Sequence, residues 1–213
     1  MMEETLRLFI AIELPDEVRA VLAEAQRRLQ GQGLAVRWVD VAGAHLTLKF
    51  LGATPGNRVE AIEAALQRAA RLHAPLMLRT AGLGVFPRPN EPRVVWIGVE
   101  GDVARLRALH GDVERYVAPL GYPTEKRPFS PHLTLGRTVK GATRPEFTKI
   151  GTAVAAAEAP PAAMWPVGMV SLMRSELRPS GAFYTAMAHI SLDTPGAAAI
   201  IPSGISPDTY PNT

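Results

Sequence analysis

Two stretches of this sequence carry the same four residues, His45-Leu46-Thr47-Leu48 and His132-Leu133-Thr134-Leu135. In a β-strand the side chains at i and i+2 share a face, so each His and Thr point one way while the two leucines point the other. An imidazole exchanges protons near neutral pH, and a hydroxyl donates a hydrogen bond to a non-bridging phosphoryl oxygen. A His-x-Thr pair on a leucine-backed strand therefore suits phosphoryl chemistry. With five His and fourteen Thr in 213 residues, a shuffled chain contains about 0.3 such pairs, so two identical copies in apolar surroundings exceed chance.

The elements that must hold these strands follow from hydrophobic periodicity. Arg7 to Leu14 is an apolar run stopped by Pro15, the pattern of a strand buried on both faces. Val18, Val21, Leu22, Ala25 and Leu29 recur at helical spacing, with Gly31 and Gly33 as stop signals. Strands are predicted at Val36 to Val39 and His45 to Leu51, followed by a helix carrying Val59, Ile62, Leu66, Ala69 and Ala70. Two more strands, Leu76 to Val85 and Val94 to Val99, flank the proline-rich turn 87–92. A helix bearing Val103, Leu106, Val113 and Val117, a strand His132 to Val139, a weaker helix near Arg144 to Ala157 and strands Val167 to Leu177 and Ala182 to Leu192 complete the pattern. From Thr194 the chain loses periodicity, so residues 194–213 are expected to form a tail outside a domain spanning 1–193.

The order of elements repeats. A shift of 87 residues lays Phe9-Ile10-Ala11-Ile12-Glu13 on Trp96-Ile97-Gly98-Val99-Glu100 and His45-Leu46-Thr47-Leu48 on His132-Leu133-Thr134-Leu135, with no gap between the matches. Two such copies related by an approximate two-fold would bring the histidine strands face to face and make the cleft between them the site.

Composition removes several alternatives. The absence of cysteine excludes thiolate zinc sites, iron–sulfur clusters and thiol nucleophiles. No window approaches a membrane span, and Glu3 and Glu4 stand where a secretory signal carries positive charge, so a cytoplasmic address is expected. Lys plus Arg number 23 against 20 Asp plus Glu, a net +3 that predicts only modest affinity for long RNA. Only Lys49, Lys126, Lys140 and Lys149 are lysines; the arginine bias suits a phosphate-bearing ligand and equally fits a GC-rich genome.

The sequence resembles the two-histidine (2H) phosphoesterase superfamily, in particular the bacterial and archaeal RNA 2',3'-cyclic phosphodiesterases, also called 2'-5' RNA ligases. The resemblance runs over about residues 6 to 192. It rests on Arg7-Leu8-Phe9-Ile10-Ala11-Ile12, His45-Leu46-Thr47-Leu48-Lys49-Phe50-Leu51-Gly52, Gly84-Val85-Phe86-Pro87, Val95-Trp96-Ile97-Gly98 and Pro131-His132-Leu133-Thr134-Leu135-Gly136-Arg137. It implies an α+β fold that is bilobal and pseudo-two-fold, with two antiparallel sheets forming a central cleft and helices outside. It implies His45 as general acid toward the leaving 3' oxygen, His132 as general base on water, Thr47 and Thr134 as holders of the equatorial oxygens, and a 2'-phosphate product. The reverse reaction would join a 5'-hydroxyl to the cyclic phosphate without ATP. No cofactor or metal enters this scheme, and the partners expected are RNA termini or nucleoside 2',3'-cyclic phosphates, met by a monomer.

Substrate contacts are harder to read. Phe50 and Arg137 lie five residues past their histidines, so regular alternation turns both away from the cleft. Phe50 then reads as core, or as a base-stacking ring if the strand end twists; Arg137 reads as a phosphate contact on the same condition. Arg127 and Phe129 precede the second motif on a Pro-stiffened segment and pair a cation with a ring. Trp38 reads as core, and His73, His110 and His189, none followed by Thr at i+2, read as structural. The competing readings are a non-catalytic nucleotide or RNA-binding module in the same cleft, and a histidine metal site, disfavoured because threonine is a poor ligand.

Overall fold

The computed structural model describes residues 4–178 and 181–193. The proposed tail, 194–213, lies outside the described residues. Among these residues the strands are β1 (Thr5–Glu13), β2 (Val36–Trp38), β3 (His45–Pro55), β4 (Leu76–Phe86), β5 (Val94–Gly101), β6 (His132–Thr138), β7 (Met164–Val167), β8 (Met169–Arg178) and β9 (Gly181–Ser191). The helices are α1 (Asp16–Gln30), α2 (Val59–Ala70), α3 (Val103–Val117) and α4 (Arg144–Ala156). The 87-residue shift lays α1 on α3 end to end.

Local chemistry explains the helix boundaries. Asp16 and Glu17 in the first turn of α1 and Arg27 and Arg28 in its last complement the macrodipole. Thr143 and Glu146 form a reciprocal capping box on α4.

The strands form two antiparallel sheets, ordered β3-β1-β8-β9 and β2-β6-β5-β4-β7. One face of each sheet joins a continuous core with the helices, built from alternate residues such as Leu8, Ile10 and Ile12 on β1 and Ile97 and Val99 on β5. The helices are exchanged between repeats: α1 packs against β6 of the second sheet, and α3 against β3 of the first. Strand β2, from the first half of the chain, pairs with β6. The two lobes are thus interlocked and share one core, which the linear repeat did not reveal.

One expected strand was too long. The run from Val167 is split at Gly168, and a separate strand, β7, precedes it. Pro166 obscured β7 in the sequence; it is tolerated because β7 is an edge strand.

Candidate active site

Both motifs lie on the sheet faces that turn away from the helices. On β3, Leu46 and Leu48 are buried in the core while His45 and Thr47 face the other side, opposite Glu13 and Ala11 of β1. On β6, Leu133 and Leu135 are buried, and His132 and Thr134 stand opposite Gly98 and Trp96 of β5. The two histidine strands touch across the sheet boundary. Gly98 must lack a side chain, because a Cβ there would meet the Ala81 carbonyl oxygen at 2.5 Å.

The two imidazoles are held in the same way. His45 Nδ1 donates to the Gly43 carbonyl at 2.8 Å, and His132 Nδ1 donates to the Ser130 carbonyl at 2.8 Å. A carbonyl only accepts, so Nδ1 carries the hydrogen and Nε2 is left for substrate in both rings. Each carbonyl is fixed by its own segment. Residues Val41–Gly43 form a 3₁₀ turn capped by the Asp40 side chain, which accepts from the Ala42 N–H at 3.0 Å, and Ser130 lies between Pro128 and Pro131.

Aromatic rings wall each histidine. Phe9 packs at 4.6 Å from the His45 centroid, and Tyr184 meets it edge-on at 5.0 Å and 88°. Phe86 meets His132 edge-on at 5.0 Å and 85° and itself packs on Trp96. Neither Thr47 nor Thr134 has a hydrogen-bond partner for its hydroxyl among the described residues, so both donors are uncommitted. A recess of about 370 Å³ lined in part by Trp96, Gly98, Arg107, Ser130 and Pro131 opens beside the second motif.

The parity objection to Phe50 and Arg137 is removed by β-bulges. In the β1–β3 ladder Ala11 pairs with Thr47 but Ile10 with Lys49, which leaves Leu48 as an extra residue. In the β5–β6 ladder Trp96 pairs with Thr134 but Val95 with Gly136, which leaves Leu135 extra at the equivalent repeat position. One inserted residue reverses the alternation. Lys49 therefore turns into the core, 3% exposed, and Phe50 emerges on the histidine face beside Phe9, 58% exposed. The core reading of Phe50 is thus incorrect. Arg137, the repeat equivalent of Phe50, emerges likewise, and its charge acts on both His45 and His132.

Of the other residues singled out in the sequence, Phe129 stacks parallel on His110 of α3, with centroids 4.1 Å apart and 9° between planes. Its ring anchors the segment that carries Ser130. Arg127 is exposed on the same segment and makes no hydrogen bond to either histidine among the described residues. Trp38 packs against the core, and His73 pairs with Asp112 at 2.8 Å.

Burial is the main force on the imidazoles of His45 and His132 and pushes each below the ordinary histidine value; the Arg137 guanidinium pushes the same way, and the carbonyl bonds oppose it. At His45 the Glu13 carboxylate also opposes it. Sequence reasoning missed this carboxylate. Glu13 Oε1 accepts from the buried Ser171 hydroxyl at 2.5 Å, and His189 Nδ1 lies 3.0 Å from Ser171 Oγ and 3.2 Å from Glu13 Oε1. Its repeat equivalent, Glu100, is instead paired with Arg79. The signal available in the sequence was the shared Glu at the end of both repeated strands. No group of three His, Cys, Asp or Glu side chains among the described residues could hold a metal ion.

Two neighbouring strands, each bearing an imidazole with a free Nε2 and an uncommitted threonine hydroxyl, with the Arg137 guanidinium acting on both rings, form an arrangement chemically suited to a phosphoryl group. The sequence model of the 2'-5' RNA ligase superfamily matches residues 14–179. A Thermus thermophilus protein named RNA 2',3'-cyclic phosphodiesterase is 36% identical, over 88% of this chain and 90% of its own. A Methanothermobacter thermautotrophicus protein of the same name is 33% identical, over 85% and 96%. Among solved structures, E. coli LigT complexed with 3'-AMP superposes with a TM-score of 0.69 at 27% identity, covering 90% of this chain and all (100%) of that one. The Thermus thermophilus protein TT0787 gives 0.70 at 35%, covering 88% and 98%. The chain belongs to the 2'-5' RNA ligase superfamily.

Proposed function

We propose that this protein hydrolyses the 2',3'-cyclic phosphate at an RNA end to a 2'-phosphate, with its two histidines as acid and base and no metal ion. The observation that carries the reading is the matched pair of imidazoles, each with Nδ1 held by a backbone carbonyl and Nε2 free beside an unpartnered threonine hydroxyl. Opening the ring requires water to lose a proton on one side of phosphorus and the departing 3' oxygen to gain one on the other. His132 Nε2 takes the first proton and His45 Nε2 gives the second. The Glu13 carboxylate, which favours the charged ring at His45 and has no counterpart at His132, supports this division of labour. Thr47 and Thr134 donate to the equatorial oxygens, and Arg137 offsets their charge. Phe50 offers an exposed ring for the terminal base. Because the steps are reversible, the same site can join a 5'-hydroxyl to a cyclic phosphate and give a 2'-5' linkage.

The test is incubation with an oligoribonucleotide ending in a 2',3'-cyclic phosphate in the presence of EDTA, resolving 2'- from 3'-phosphate products. The wild-type protein should yield the 2'-phosphate. His45→Ala and His132→Ala should each lower turnover by about 10²- to 10⁴-fold while keeping the fold by circular dichroism. Dependence on a divalent ion, or a 3'-phosphate product, would sink the mechanism.

A further inference from the structure

Arg37 on β2 stands directly opposite Arg137 on β6. Opposed residues on paired strands share a face, with Cβ atoms about 4.5–5.5 Å apart, and like charges so placed are destabilising. Val36, one residue earlier, is buried in the core, and Arg37 is exposed on the opposite face, the one that carries Arg137.

Ten arginines, Arg19, Arg27, Arg28, Arg79, Arg88, Arg93, Arg105, Arg115, Arg174 and Arg178, each have a carboxylate within ion-pair distance. Arg37 and Arg137 have none among the described residues. Two guanidiniums side by side with no anion form a built-in site for negative charge.

Its place in the fold indicates which charge. Along β6 the successive partners on β5 are Gly98 for His132, Trp96 for Thr134 and Val94 for Arg137. The arginine pair therefore lies just past the threonine, with Arg37 beyond Arg137 on the edge strand, and of the two only Arg137 bears on the charge of the histidines.

We propose that Arg37 binds a second phosphate, the phosphodiester joining the terminal nucleotide to its 5' neighbour, so that the preferred substrate is an RNA end of at least two nucleotides rather than a nucleoside 2',3'-cyclic phosphate. The inference rests on the phosphodiesterase reading above. Arg137 serves the reacting phosphate and Arg37 the next one along the chain. The electrostatic cost of the pair is then relieved when the substrate binds.

Binding of product-type ligands tests this without turnover. Three are titrated into wild-type protein, Arg37→Ala and Arg37→Lys: adenosine 2'-phosphate, the dinucleotide ApA carrying a terminal 2'-phosphate, and the same dinucleotide with a neutral methylphosphonate linkage. The wild-type protein should bind the charged dinucleotide about tenfold tighter than the methylphosphonate, with a salt slope steeper by about 0.7. Arg37→Ala should erase both differences, and Arg37→Lys should restore part of them. The melting temperature of Arg37→Ala should not fall, because the substitution removes a repulsion; a purely structural arginine would lower it. Equal binding of the two dinucleotides by the wild-type protein overturns the inference. So does an equal loss by Arg37→Ala for all three ligands, which would put Arg37 on the reacting phosphate. Turnover of adenosine 2',3'-cyclic phosphate reports on the phosphodiesterase reading separately, and a protein that binds none of the ligands overturns both.

Discussion

At the scale of the residue, the two histidines are alike in their hydrogen bonds and unlike in their charges. Both donate Nδ1–H to a carbonyl two residues earlier, and burial and Arg137 hold both below the ordinary value of 6.5. In the acid–base pairing proposed above one ring is charged and the other neutral, so the plot of kcat/KM against pH should be a bell centred below 6.5. The neighbouring charges separate the limbs. Removing the cation in Arg137→Gln raises both imidazoles and should move the whole bell to higher pH. Removing the anion in Glu13→Gln lowers His45 and should move one limb to lower pH. A profile that keeps its position in both variants would contradict the electrostatic arrangement.

At the scale of the element, the same one-residue bulge after each His-x-Thr does most to arrange the site. It turns Phe50 and Arg137 outward and Lys49 inward, where Lys49 Nζ donates to Glu114 Oε2 of α3 at 2.9 Å and to the Pro123 carbonyl at 2.6 Å. The pair joins β3, the strand of the first His-x-Thr, to the helix that also carries His110, on which Phe129 stacks just ahead of Ser130. Both charges are buried, so removing one leaves the other uncompensated. Lys49→Ala should cost about 3–5 kcal/mol of stability by denaturant unfolding, and Lys49→Met combined with Glu114→Gln should recover most of it. At the second bulge, Gln26 Nε2 of α1 donates to the Leu135 carbonyl at 2.8 Å and the Val39 carbonyl at 2.9 Å. Each bulge is thereby supported by a helix belonging to the other repeat.

At the scale of the whole molecule, His45, His110 and His132 are all held below 6.5, chiefly by burial. Below that value the unfolded chain binds more protons than the folded one. Stability is therefore complete above about 6.5 and is lost as pH falls through the depressed folded-state values. The melting temperature should drop between pH 7.5 and 5, and less so in a His45→Ala, His132→Ala double variant. A melting temperature independent of pH over that range would show that these groups titrate alike in both states.

The sequence alone determined the two His-x-Thr motifs and, apart from β7, the order of elements. His-x-Thr on a leucine-backed strand is a local pattern with period two, α1 and α3 have helical spacing, and the 87-residue repeat needs only alignment of the chain with itself. These features depend on neighbours in sequence, so they survive without coordinates. Tertiary structure decided which way Phe50 and Arg137 point, that Arg37 stands beside Arg137, that Glu13 acts on His45 while Glu100 is taken by Arg79, and that the helices exchange sheets. Each of these turns on a pairing between distant strands. A single unpaired residue in a ladder reverses every side chain after it, and whether a ladder carries one depends on the partner strand as much as on its own sequence.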